Sequence, residues 1–141
     1  MTQYSRSIGT VTLAGARCIR DHAFGQASAL GLSIALVVID RTGLLILAET
    51  MDDAPPGSSE ASLMKAKGAA RYRVPTHQTS EFVKTLPAQL AQHALSLPDL
   101  CAFQGGVPIR VGDQVVGGLG VSGGSGAQDV EIALQAAAAV A

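Results

Sequence analysis

Aromatic residues are scarce in this chain: no tryptophan, two tyrosines and three phenylalanines among 141 residues, although 48% of the sequence is hydrophobic. A core built almost without rings must be Ala, Val, Leu and Ile, whose small side chains let elements approach closely. Charge of one sign is lacking too. The formal net charge is −1, with no basic stripe and no aromatic-plus-basic cluster, which argues against nucleic-acid binding. No apolar run nears the ~20 residues of a membrane span; the longest is "LSIALVVI". The first fifteen residues show no basic segment followed by a hydrophobic one, so a cytoplasmic protein is expected. Cys18 and Cys101 lack C-x-x-C spacing and are expected to be free thiols. So much apolar sequence without a membrane span points to apolar surface buried between subunits.

What is present reads as one domain over residues 1–141. Leu13, Ala16, Ile19, Ala23, Ala27 and Leu30 recur at steps of three and four, predicting a helix over 11–31 with Gly31 at its end. "LSIALVVID" and "LLILAETMD" are rich in β-branched and apolar residues and are joined by the turn "DRTG", so they form an antiparallel hairpin. After the loop "DDAPPGSS", Ser58 or Ser59 is expected to cap the helix "EASLMKAKGAARYR". Pro75 breaks it, and "THQTSEFVKTL" follows as a short helix capped by Thr76 or Thr79. "PAQLAQHALSLPD" reads as a linker containing a helical turn. "LCAFQGGVPIRV" and "QVVGGLGVSGG" make a second hairpin about Gly112-Asp113. The last helix opens on a capping box, Ser125 with Gln128. The order α-β-β-α-α-β-β-α predicts an α+β fold, a mainly antiparallel sheet of two hairpins flanked by helices.

The motif Gly118-x-Gly120-x-x-Gly123 stands between a strand and a helix, where dinucleotide-binding loops are found. Only one helix follows it, with no second parallel strand and no Lys-Ser or Lys-Thr, and Asp129 and Glu131 would repel a phosphate there. The glycines therefore remove side chains where another backbone, a neighbouring subunit or a flat ligand comes close. Gly120-Val121-Ser122-Gly123-Gly124 matches G-x-S-x-G, but no histidine follows Ser122, which excludes a hydrolase triad in that order. His22, His77 and His93 lack zinc spacing. His77, beside the proline break in "VPTHQTS", is the one most readily aimed into a pocket. Lys65, between Met64 and Ala66, is expected to be buried and to hold a carboxylate. Lys67 and Arg71, four apart, share one helix face, and a solvated position is expected for Lys67 and Arg73.

Taken together, "VVIDRTGLLILAETMDDA", "LMKAKGAA", "PTHQTSEF", "GGVPIRVGDQVVGGLGVSGG" and "QDVEIA" resemble the GlcG/HbpS family of haem-binding proteins, which includes the C-terminal domain of PduO-type proteins. The likeness covers about residues 11 to 140. It implies an α+β domain assembling as a homo-oligomer (dimer, tetramer or octamer) and binding haem at or near a subunit contact. The same resemblance places Thr76 and His77 near the haem, with His77 as an iron ligand and Lys65 and Arg71 toward the propionates. Gly106, Pro108, Gly118, Gly120 and Ser122 belong to the family pattern and join them as candidate cofactor-binding residues. The chain departs from secreted iron-binding relatives in having no two glutamates three apart. The alternative function is a small-molecule enzyme of lyase, isomerase or hydrolase type in a catabolic pathway. It would use Lys65, His77, Glu60 and Asp52 for acid–base chemistry on a carboxylate substrate. An accessory subunit without chemistry is the third reading.

Overall fold

The computed structural model describes residues 4–141. Its elements run α1 (Leu13–Ala29), β1 (Ala35–Asp40), β2 (Leu45–Thr50), α2 (Ser58–Tyr72), α3 (Thr76–Lys84), α4 (Ala88–Leu95), β3 (Gly106–Val111), β4 (Gln114–Ser122) and α5 (Gly126–Ala138). The expected order stands, and the helical turn expected in "PAQLAQHALSLPD" extends to a two-turn helix, α4. The four strands form one antiparallel sheet in the order β2-β1-β4-β3. Both hairpins thus stay intact and join through the central β1–β4 pair.

Every residue of β1 is buried, because helices cover both faces of the sheet. Leu36, Val38, Leu119 and Val121 face one side and pack with Ile19 and Ala23 of α1 and Ile132 and Ala136 of α5. Val37 and Ile39 face the other side and pack with Ala66 of α2. The alternation along each strand decides which helix a residue meets. Alanines on the helices and glycines on β4 keep both layers close, which is how a core works here with so few rings.

The predicted caps hold at some ends and move at others. Ser125 accepts from the Gln128 N–H and the Gln128 side chain reaches back to Ser125, the capping box expected for α5. For α2 the N-cap is Gly57, in the left-handed region at φ 87°, and Ser58 is the first helical residue, its hydroxyl donating to the Pro55 carbonyl. For α3 the N-cap is Pro75, and Thr76 lies inside the helix. Each serine or threonine found a tertiary or loop partner that competes with capping.

The β1–β2 turn has its own internal brace. Oδ1 of Asp40 accepts from Thr42 N–H (2.8 Å), Thr42 Oγ1 (2.7 Å) and Leu44 N–H (2.9 Å). Burial alone would raise this carboxyl, but the hydrogen bonds from Thr42 and Leu44 outweigh it and hold it below the ordinary carboxylate range. The stability it contributes is therefore present above pH ~4 and is lost as pH falls through the lowered folded value. Asp40→Ala should cost about 1–3 kcal/mol, because three donors lose their acceptor. A shift of the urea midpoint at pH 7 measures it, and an unchanged midpoint would contradict this account.

Candidate functional site

Two regions hold the predicted site residues, and they differ in kind. The first is buried. Lys65 enters from α2 toward the end of β4, where its Nζ donates to the Val121 carbonyl at 2.8 Å and to Oδ2 of Asp129 at 3.3 Å. Both side chains are nearly sealed, 6% and 5% exposed. Oδ1 of Asp129 accepts from the Gly124 N–H at 2.9 Å. Burial pushes the Asp129 carboxyl above its usual range, against the opposing pull of that N–H and of the Lys65 ammonium. Burial likewise pushes the Cys101 thiol up, so it is a weak nucleophile. Lys65 is buried and holds a carboxylate, as its apolar setting implied, but the carboxylate is this chain's own Asp129. Lys65 pins α2 to β4 and α5, with the Val121 carbonyl and Asp129 as the partners of its ammonium.

The glycine signature lies on the same side of the sheet. A Cβ placed on Gly118 would meet the backbone of Ala66 and Ala70; on Gly120, that of Ser62 and Ala66; on Gly106, that of Lys65. The close-approaching backbone is therefore α2 itself, which fills the space over Gly106, Gly118 and Gly120. Ser122 ends β4, buried, with no hydrogen-bond partner for its hydroxyl. Pro108 sits on the edge strand β3, where a missing N–H is tolerated, and borders a shallow groove with Val74 and Leu134.

The second region is open. α2, α3 and α4 enclose a cleft of about 420 Å³ lined mainly by Tyr72, Val74, Phe82, Val83, Leu97 and Leu100. This lies within the range of small-ligand pockets and has their apolar character. Its shape is fixed at two ends. Thr76 is buried and its Oγ1 accepts from the Gly106 N–H at 2.8 Å, tying the start of α3 to β3. Tyr72 donates to the Pro98 carbonyl at 2.6 Å, and Arg71 pairs with Asp99 at 3.2 Å, which anchors the chain beyond α4. His77 follows Thr76 on the helix that supplies Phe82 and Val83 but does not line the cleft, and its Nδ1 is buried without a partner. Buried polar atoms are nearly always satisfied, so an orphaned imidazole nitrogen is a candidate ligand atom.

The acids named with Lys65 do not join it. Asp52 and Glu60 are exposed, and Glu60 accepts from the neighbouring Ser59 hydroxyl. Among the described residues no three His, Cys, Asp or Glu side chains converge on a common point, and no helix is long and apolar enough to cross a membrane. Sequence reading missed the cleft, whose Ala94 and Leu97 lie in the stretch taken for a linker. The apolar spacing of Leu90, Ala94 and Leu97 was the available signal.

A family model described as "Haem degrading protein HbpS-like" matches residues 11–138. An uncharacterised 15.0 kDa protein of the dhaT-dhaS intergenic region of Citrobacter freundii is 31% identical over 125 residues, covering 89% of this chain and 88% of that one. The crystal structure of Klebsiella pneumoniae protein ORFY superposes with a TM-score of 0.90 at 28% identity, covering 99% of this chain and 97% of the other. The crystal structure of a PduOC–haem complex superposes with a TM-score of 0.83 at 28% identity, covering 93% and 95%.

Proposed function

Because this chain belongs to the HbpS-like family, we propose that it is a cytoplasmic haem-binding homo-oligomer that seats haem beside the start of α3, at or near a subunit contact. The carrying observation is the unpartnered, buried Nδ1 of His77 near the start of α3, on the helix that supplies Phe82 and Val83 to the cleft but outside the cleft's own lining. Haem, when bound, supplies an iron centre for redox or oxygen chemistry. The chain's own residues bind and orient it. Thr76, fixed to Gly106, sets the position of His77, and His77 offers a nitrogen to the iron. Arg71, which holds Asp99 only at the surface, is the guanidinium available to a propionate.

Exposure at the cleft supports the interfacial part of the reading. Phe82 is 61% exposed and Leu90, Leu95 and Leu97 about half exposed, an apolar surface that a second copy would cover. The acid–base alternative finds less support, since the cation it relied on is locked to Asp129.

Titrating the purified chain with haemin should give a Soret band that saturates at one haem per chain. His77→Ala should shift that band and weaken binding tenfold or more. No spectral change at stoichiometric haemin would overturn the haem reading, and a variant spectrum and affinity equal to the wild type would remove His77 as ligand.

A further inference from the structure

Away from the α3–α4 cleft, the chain gathers arginines from four distant parts of its sequence. Arg6 of the N-terminal segment, Arg41 of the β1–β2 turn, Arg73 at the end of α2 and Arg110 of β3 line one cleft of about 430 Å³, with Asp113 and Gln114 at its rim. The adjoining cavity shares Arg41 and adds Lys67 and Arg71. Six of the ten Lys and Arg residues of a chain with net charge −1 thus border two neighbouring hollows. We propose that the four-arginine cleft is a binding site for a small multivalent oxyanion, a polycarboxylate or a phosphate compound.

Three observations carry this. First, the cations converge through tertiary structure, unlike the solvated face of one helix. Arg6 is brought in because Gly9 donates to Gln114 Oε1 and Val11 to the Val116 carbonyl, both at 2.9 Å, lacing the N-terminal segment to β4. Second, their mutual repulsion is poorly balanced. Asp113 is the single acid at the cleft and makes no ion pair with these arginines. Arg41 donates one nitrogen to the Val115 carbonyl (2.7 Å) and Arg110 one to the Arg73 carbonyl (3.3 Å). These bonds aim the two guanidinium groups and leave their other donors for a ligand. Arg6 and Arg73 have no side-chain hydrogen bond among the described residues. Guanidinium forks match carboxylate and phosphate oxygens two by two, and a concave cationic site concentrates anions.

Third, Arg73 is held in the left-handed region, φ 60°, at the C-cap of α2, a conformation that glycine adopts without steric cost. An arginine kept in a strained backbone position is what a functional side chain looks like. The cleft size suits a small molecule and leaves no room for a duplex or a folded partner.

Isothermal titration calorimetry of the full chain with citrate and, separately, with inorganic pyrophosphate tests the site. One-to-one binding of either, weakened several-fold when salt rises from 50 to 200 mM, is expected, and the tighter of the two names the oxyanion class. Arg73→Gly removes the guanidinium while suiting the backbone, so it should stay folded by circular dichroism yet bind at least tenfold more weakly. Arg110→Gln should weaken binding similarly. No heat with either anion, or Arg73→Gly binding like the wild type, would overturn the proposal. His77→Ala should bind the anion with wild-type affinity; a loss there would assign the anion to the proposed haem site and equally overturn a separate site.

Discussion

Gly120→Val is expected to stop this chain from holding its native fold at ordinary temperatures. Gly120 lies on β4 between Gly106 of β3 and Val37 of β1, in the middle of the sheet, facing α2. Any Cβ there runs into the carbonyl of Ser62 and the amide nitrogen of Ala66. These are backbone atoms of a helix, and no rotamer change removes them. The helix must lift, which would drag Lys65 from its carboxylate and open the Val37–Ile39–Ala66 contact. Overpacking of an ordinary core site costs about 1–3 kcal/mol, more when backbone must move. Even Gly120→Ala should cost about 3 kcal/mol and lower Tm by roughly 10 °C. Gly25→Ala is the control, at an exposed helical position where a Cβ meets nothing. A Gly120→Ala melting curve that overlays the wild type would show that α2 can retreat freely.

Asp129→Ala should be nearly as damaging, by about 3–5 kcal/mol. The substitution leaves the Lys65 ammonium buried with only the Val121 carbonyl, and it deprives the Gly124 N–H of its acceptor. Much of that cost is the stranded charge, so Lys65→Met combined with Asp129→Leu should be milder than Asp129→Ala alone, as chemical denaturation can show. The pH dependence has a definite sign. With the folded carboxyl raised above its unfolded value of ~3.9, the native state binds the proton more readily. Asp129 therefore subtracts stability as pH rises from ~3.9 to its raised folded value, and nothing further above it. Asp40 acts in the opposite sense, losing its contribution as pH falls. A carbon-detected titration placing Asp129 below ~3.9 would contradict the burial argument.

Much of the fold was legible because local chemistry and tertiary packing agreed. The β-branched run at 34–39 had nowhere to go but a covered strand, and Ser125 with Gln128 needed no tertiary help to start α5. Where they disagreed, the reading slipped. Ser58 and Thr76 look like caps in isolation, yet Pro55 and Gly106 claim their hydroxyls. Lys65 was recognisable as a buried cation from Met64 and Ala66, but its partner lies 64 residues away, beyond any periodicity argument. The glycines of β4 announced a close approach without saying what approaches. The arginines at 6, 41, 73 and 110 were invisible as a group, since no sequence window contains two of them. For the haem site, the proline break beside His77 and then the resemblance singled it out, and the structure added its unsatisfied nitrogen.

α4 has one further consequence. None of its eight residues is buried, and its first residue follows Pro87, which donates no hydrogen bond. A helix this short is not stable by itself in water, so its persistence depends on the cleft-facing side chains and on the anchors at Pro98 and Asp99. Its amide protons will exchange by local opening, at a free-energy cost far below that of unfolding the β1–β4 pair. This wall of the α3–α4 cleft should thereby exchange faster than α1, α2 and α5, which bury several residues each. A ligand that fills the cleft would slow exchange there first, before the sheet registers its arrival.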